Sequence, residues 1–276
     1  MNTIIVPTDF SKCAKNALTF AIEIAKKQKG KIVLIHTNHY DFAASSLPPE
    51  LEAQQFIQLQ KNSKASLDVL ANEVTNEGVS CTTLLEVGSL IDVLEEVAHR
   101  KRAKLIVMGT QGASGLQETF IGSNTGHAIN HSKTPILAIP DGYHFNDFSK
   151  VIFTTNYENR SAFDFKHLIQ LIELFRSNIK ILHIANGDLS YSEEEKLLSD
   201  FELEMKEKYP SEDISSQLMF GEEIENIMTD YIKREHVNLV CFTTKHRNLV
   251  DRVFGKTSIT KKMVYHTTVP VLAFPH

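Results

Sequence analysis

Four residues set the chemical character of this chain. They are the glycines of Gly109-Thr110-Gln111-Gly112 and, after nine further residues, the pair Gly122-Ser123. An apolar run, Leu105-Ile106-Val107-Met108, leads into them, a helical pattern starts at Gly122, and residues 135–140 close the segment as a short apolar stretch between two prolines. The order is strand, glycine-rich loop, helix N-terminus, strand. Glycine lets a backbone turn tightly and approach a ligand with no Cβ in the way. The unpaired N–H groups of a first helical turn attract an anion. Backbone N–H groups from Gly109 through Gly115, with Ser123 and Asn124 adding donors, would therefore cradle phosphate. The plainer alternative is a tight turn before an ordinary helix start. It weighs most on Gly115 and Gly126 and least on Gly109, Gly112, Gly122 and Ser123. The chemistry expected is nucleotide binding rather than bond making. There is no GxSxG, HExxH or GxxxxGK[ST] in the chain, and no general base or charge-stabilising Lys or Arg is evident beside the loop.

The elements that must hold this loop alternate. Strands are predicted at 3–7, 32–35, 81–87, 105–108 and 136–139. Ser11 is expected to cap a helix carrying Ala17, Phe20, Ala21 and Ile24, with Gly30 ending it. A long helix is expected over 48–76 with Leu67, Leu70 and Val74 on one stripe, and another after Gly88. The strands are unbroken apolar runs, as burial on both faces of a parallel sheet requires. In such a sheet ligands sit beyond the carboxyl ends of the strands, where strand order reverses. Pro7-Thr8-Asp9 and His36-Thr37 fall there together with the glycine loop. Asp9 would repel phosphate but could accept hydrogen bonds from a base amino group or ribose hydroxyls. Its alternative role is a helix cap. His36 and His39 lack a carboxylate or thiol partner at metal-ligand spacing and are expected to be surface or cap residues.

A second unit repeats the first. The segment from His131 to Pro140 recurs from His266 to Pro275, with the histidine, both prolines and the Leu-Ala pair identical. Ile4-Ile5-Val6-Pro7-Thr8-Asp9 matches Val151-Ile152-Phe153-Thr154-Thr155-Asn156 in pattern, and Leu34-Ile35-His36 matches Ile181-Leu182-His183. Internal repetition of this kind takes priority over other readings. It places domains at 1–140 and 150–276 with a linker over 141–149. Second-unit elements are expected at 151–155, 165–175, 179–184, 192–209, 215–220, 224–232, 239–242 and 270–274. His131 and His266 are assigned a shared structural role near a helix end.

Composition narrows the classes. A net charge of -5 gives no general attraction to nucleic acid or anionic membranes. Cys13, Cys81 and Cys241 form no CxxC pair, which suits a reducing cytoplasm better than a disulfide framework. No signal-peptide pattern and no bilayer-length apolar run is present, so a cytoplasmic chain with no membrane contact is expected.

The spacing G-x2-G-x9-G-[ST], complete at Gly109, Gly112, Gly122 and Ser123, resembles the hallmark of the universal stress proteins. So do the opening through Asp9 and the ending from His131 to Pro140. The repeat makes the chain similar to the family's tandem form. The resemblance implies an α/β fold of two open five-stranded parallel α/β/α domains, of the adenine-nucleotide α-hydrolase-like class, paired pseudo-twofold through residues 135–139 and 270–274. It implies ATP at the switch point, often with Mg2+ or Mn2+ bridging the phosphates. The ligand-contacting set is then Pro7, Thr8, Asp9, Thr37, Met108, Gly109, Gly112, Gly115, Gly122, Ser123 and Asn124. The chain departs from the family at Ala113, where many members carry a basic residue. The second unit departs further, with Asn156 at the Asp position and Thr243-Thr244-Lys245-His246-Arg247 where the loop should be, with no glycine until Gly255. A degenerate site serving as a pairing scaffold is expected there, against an anion site built from Lys245, His246, Arg247 and Lys256. The chain is also compatible with a homodimer. Three functions remain open: an ATP-binding stress-response protein, a nucleotide-independent interaction protein, and a slow metal-dependent ATPase.

Overall fold

The computed structural model describes residues 2–38, 48–111, 122–155, 161–173, 175–185, 189–243 and 268–275. The chain divides into two compact units, one formed by Met1–Leu116 with Gly122–Gly142 and one that includes Tyr143–His276.

In the first unit the order is β1 (Thr3–Pro7), α1 (Lys12–Gln28), β2 (Lys31–Asn38), α2 (Pro49–Asn76), β3 (Ser80–Val87), α3 (Leu90–Lys101), β4 (Leu105–Gly109), α4 (Ser123–His131) and β5 (Ile136–Ile139). Every pairing is parallel, and the sheet runs β3-β2-β1-β4-β5. Strand order therefore reverses between β1 and β4. The inner strands are apolar throughout because helices cover both faces: Ile4, Ile5, Val6, Ile106 and Val107 are all buried.

Helix α1 starts where Ser11 Oγ accepts from the Ala14 N–H at 3.1 Å, the N-cap bond that a serine supplies at low cost. Its end differs from the sequence expectation. Lys29, not Gly30, takes the left-handed turn, with φ 49°. Gly30 serves another need, since a Cβ there would lie 2.9 Å from the Asn2 carbonyl oxygen. Arg102 and His236 take the same left-handed position after α3 and after the second unit's last described helix. A basic side chain at a helix C-terminus complements the dipole and offsets part of the strain of a non-glycine residue there. Helix α2 buries Ser63, Leu67, Leu70 and Val74, a stripe spaced for one helical face.

The second unit runs β6 (Lys150–Thr154), α5 (Ser161–Ile172), β7 (Asn178–Ala185), α6 (Tyr191–Lys208), β8 (Asp213–Phe220), α7 (Ile224–Glu235), β9 (Leu239–Thr243) and β10 (Val271–Phe274). Its parallel sheet is ordered β10-β9-β6-β7-β8, the first unit's topology again. A capping box of Ser190 and Glu193 opens α6. Ile152, Leu182, Met228, Tyr231, Ile232 and Val240 pack into one core on its α7 side. Helix α5 starts four residues before the expected 165 and stops at Ile172. Phe175 lies in the turn beyond and packs on Phe148, ring centroids 5.0 Å apart, so aromatic burial rather than helical periodicity explains its apolar character.

Among the described glycines of the first unit, the closest approach joins α1 to Gly109 at the end of β4. A Cβ on Gly109 would lie 2.6 Å from Cys13 Sγ and 2.9 Å from both the carbonyl carbon and the oxygen of Cys13. The sulfur could swing away, but the helix backbone could not. Gly109→Ala should thus destabilise the unit by about 1–3 kcal/mol, read from urea unfolding. The loss should persist in a Cys13→Ala background, because the backbone clash remains. Burial raises the thiol pKa of Cys13 and Cys241 and pushes Cys81 up to about 11. At pH 8 about one Cys81 in a thousand is thiolate. Alkylation of the native chain at pH 8, followed by mass spectrometry, should accordingly leave all three cysteines largely unmodified, with complete reaction in denaturant.

Candidate functional site

The described residues among those nominated from sequence reach one edge of the first unit by separate routes. Pro7 is the buried last residue of β1, and Thr8, 8% exposed, adds one more rung by donating its N–H to the Ile35 carbonyl at 2.8 Å. The chain then turns sharply. Phe10 takes φ 64°, the Phe10 N–H donates to Thr8 Oγ1, and the Ser11 N–H donates to Asp9 Oδ1, each at 3.0 Å. These side chains bond their own backbone two residues on, which is how short polar residues stabilise such turns. Asp9 is therefore not the cap of α1, which is Ser11. Asp9 itself is exposed.

Met108 is buried and Gly109 ends β4. Thr110 continues the sheet edge by donating its N–H to the Ile139 carbonyl at 2.9 Å. Gly112 and Gly115 lie outside the described residues, as do Ala113 and His39. The chain re-enters at Gly122, whose N–H donates to the Thr110 carbonyl at 2.5 Å. Gly122 is the N-cap of α4, without a side-chain cap bond, and the first turn carries no acidic residue. Ser123 and Asn124 are exposed there. Thr125 turns inward and donates its hydroxyl to the Gly109 carbonyl at 2.7 Å, tying α4 to the strand that precedes the loop. Gly122 and Thr125 thus hold the start of α4 beside Thr110 and Gly109 at the end of β4, and the unpaired N–H groups of a helix start suit an anion.

The other side of the edge holds a polar chain that the sequence reading missed. His36, expected to be a surface or cap residue, is half-buried. Its Nδ1 donates to the Thr8 carbonyl at 2.7 Å, and its ring lies 4.5 Å from that of Phe10. Its Nε2 is 3.0 Å from Asn38 Oδ1, which also accepts from Ser63 Oγ of α2 at 3.0 Å. Asn38 is 3% exposed and its Nδ2 is buried without a partner. A neutral ring that donates through Nδ1 needs a donor opposite Nε2. Turning the Asn38 amide over would supply it from Nδ2 and would put the amide oxygen in the unpartnered buried position. Thr37 lies between His36 and Asn38 and is partly exposed.

The second unit builds the same strand end. The Thr155 N–H donates to the Leu182 carbonyl at 3.1 Å, and His183 Nδ1 donates to the Thr155 carbonyl at 2.7 Å. In place of the amide, His183 Nε2 meets Glu194 Oε2 at 3.2 Å, and both side chains are largely buried. The repeated His36 and His183, 28 residues after Thr8 and Thr155, were the signal that could have identified this pair from sequence. Asn156, Lys245, His246, Arg247, Gly255, Lys256, Thr257, Ser258 and His266 lie outside the described residues. His131 ends α4 and donates through Nδ1 to the His127 carbonyl at 2.9 Å, a local helix-end contact. Among the described residues no cluster of three or more His, Cys, Asp or Glu is placed to hold a metal ion, and no helix is long and apolar enough to cross a membrane.

Comparison with known proteins bears on the family and the fold. A universal stress protein from Synechocystis is 25% identical over 147 residues, covering 49% of this chain and 96% of that protein. One from Methanocaldococcus jannaschii is 29% identical over 137 residues, covering 49% of this chain and 80% of that protein. The crystal structure of a universal stress protein from Archaeoglobus fulgidus covers 100% of this chain and 96% of its own, with a TM-score of 0.77 at 13% identity. That likeness supports the two-unit α/β fold. The model of the universal stress protein family matches residues 1–140, and the chain belongs to that family.

Proposed function

We propose that the first unit binds an adenine nucleotide, ATP, at the edge where β1 and β4 diverge, and that the second unit serves mainly as a scaffold. The observation that carries this reading is the convergence of three separate segments on one edge. The anion end is the start of α4, where Gly122 leaves the first turn without a side-chain cap and that turn carries no acidic residue. The base and ribose end is formed by the Thr8-Asp9 turn and the strand end at Thr37. The two ends suit opposite parts of one ligand: backbone donors for the phosphates, and a carboxylate acceptor for hydroxyl or amino groups. Gly112 and Gly115 would complete the phosphate cradle. A Mg2+ or Mn2+ ion would be held through the phosphate oxygens. The second unit's sequence, with Lys245, His246 and Arg247 where the first has its glycine loop, supports the scaffold role.

Titration calorimetry of the nucleotide-stripped full chain with ATP and Mg2+ tests this. One site per chain is expected, weakened about 10- to 100-fold by Asp9→Ala, the range for a hydrogen bond to a charged group, and abolished by Asp9→Ala combined with Gly122→Val. Two sites would assign a ligand to the second unit as well. No binding by folded, stripped protein would sink the reading and favour a nucleotide-independent interaction protein. Phosphate release that stops with EDTA and with the Gly122 variant would instead make it a slow ATPase.

A further inference from the structure

We propose that His36 is a positioning residue: its Nδ1–H occupies the Thr8 carbonyl and thereby keeps the backbone edge of residue 37 out of the β1–β2 ladder, open to a ligand.

The argument follows from strand register. Strand β1 pairs in parallel with β2 as Val6↔Leu34 and Pro7↔Ile35, and the Thr8 N–H donates to the Ile35 carbonyl. In a parallel ladder each residue donates to the partner before its opposite number and accepts from the partner after it. Thr8 is opposite His36, so the next rung would run from the Thr37 N–H to the Thr8 carbonyl. The His36 side chain takes that carbonyl instead, at 2.7 Å. Backbone groups alternate sides along a strand. The Asn38 carbonyl accepts from the Gly88 N–H on the β3 side, so the N–H and C=O of residue 37 face the β1 side. There β1 has already turned away through Phe10 at φ 64°. The result is an adjacent backbone donor and acceptor at the mouth of the proposed site, a pattern that fits the edge of a heteroaromatic base.

Two observations show that the ring is held on purpose rather than by chance packing. Its far nitrogen is engaged by the buried Asn38 amide, itself anchored to Ser63 of α2. The substitution also occurs twice in the chain. In the second unit the Thr155 N–H donates to Leu182, and His183 Nδ1 takes the Thr155 carbonyl that the next rung would give to the Ile184 N–H. Glu194 Oε2 there lies 3.2 Å from the far nitrogen. A different far neighbour with the same near contact is expected if the near contact is the one with a purpose.

The ligand's identity rests on the nucleotide reading above, but the hydrogen-bond substitution does not, and the test separates them. Amide hydrogen exchange of the full chain would be followed by NMR for wild type, His36→Asn, His36→Gln and His36→Leu. An Asn amide reaches the position of Nδ1, whereas a Gln amide reaches that of Nε2. In ligand-free wild type and His36→Asn the Thr37 amide should exchange at least about tenfold faster than the ladder amide of Ile35. In His36→Gln and His36→Leu the gap should close as the Thr37 N–H takes the freed Thr8 carbonyl, and ATP affinity should fall about 5- to 10-fold, the worth of one neutral hydrogen bond. A Thr37 amide that is as protected as Ile35 in wild type, or a gap unchanged in His36→Gln, would overturn the proposal. Should His36→Leu fail to fold, the Asn and Gln pair decides. A gap that behaves as expected while wild type ignores ATP would uphold the positioning role and reject the nucleotide.

Discussion

The approach of α1 to the last residue of β4 is the constraint on which the first unit's site depends. Gly109 faces the Cys13 backbone with no room for a methyl group. That contact brings the start of α1, and with it the Thr8-Asp9 turn, against the point where the glycine loop leaves the sheet. Cys13 Sγ reaches the Ile139 carbonyl at 3.6 Å, and Thr125 holds the Gly109 carbonyl from the other side. One glycine thus sits under contacts from α1, α4 and the neighbourhood of β5. Its lack of a side chain serves helix packing first, a role that glycine also plays where a helix and a strand must close up in dinucleotide-binding folds.

The two units show what such a scaffold keeps and what it varies. Both end their first strand with a threonine whose carbonyl is taken by a histidine from the next strand. Behind the histidine, the first unit uses a neutral amide and a hydroxyl, and the second a carboxylate. Glu194 Oε2 lies 3.2 Å from His183 Nε2, and both side chains are largely buried. The sequence over 243–247 has meanwhile lost the glycines of its counterpart. The strand-end geometry is therefore separable from the glycine loop.

Position on the strand also explains why Asp9 and Ser11 have different tasks although both are of the cap-forming type. Ser11 stands directly before the first helical residue and bonds the Ala14 N–H. Asp9, two residues earlier, bonds the Ser11 N–H and keeps its carboxylate at the sheet edge. Spacing relative to the helix start, rather than residue type, divides the roles.

Much of this was legible in the amino-acid sequence by itself. Apolar runs such as Ile4-Ile5-Val6 determine doubly buried strands, the stripe of Leu67, Leu70 and Val74 determines which face of α2 packs, and the repeat of residues 131–140 at 266–275 determines two units. These signals are local or periodic, so a linear reading captures them. Three matters were decided only by the tertiary structure. Lys29 rather than Gly30 makes the left-handed turn, because the Asn2 carbonyl claims the space beside Gly30. Gly109 is required by Cys13, a residue 96 positions away in the chain. His36, Asn38 and Ser63 form one polar chain because β2 and α2 stack; the repeat of His36 at His183 marks the histidine, but no spacing along the chain marks its partners. Contacts between side chains distant in sequence depend on how elements pack, and no periodicity along one chain encodes them.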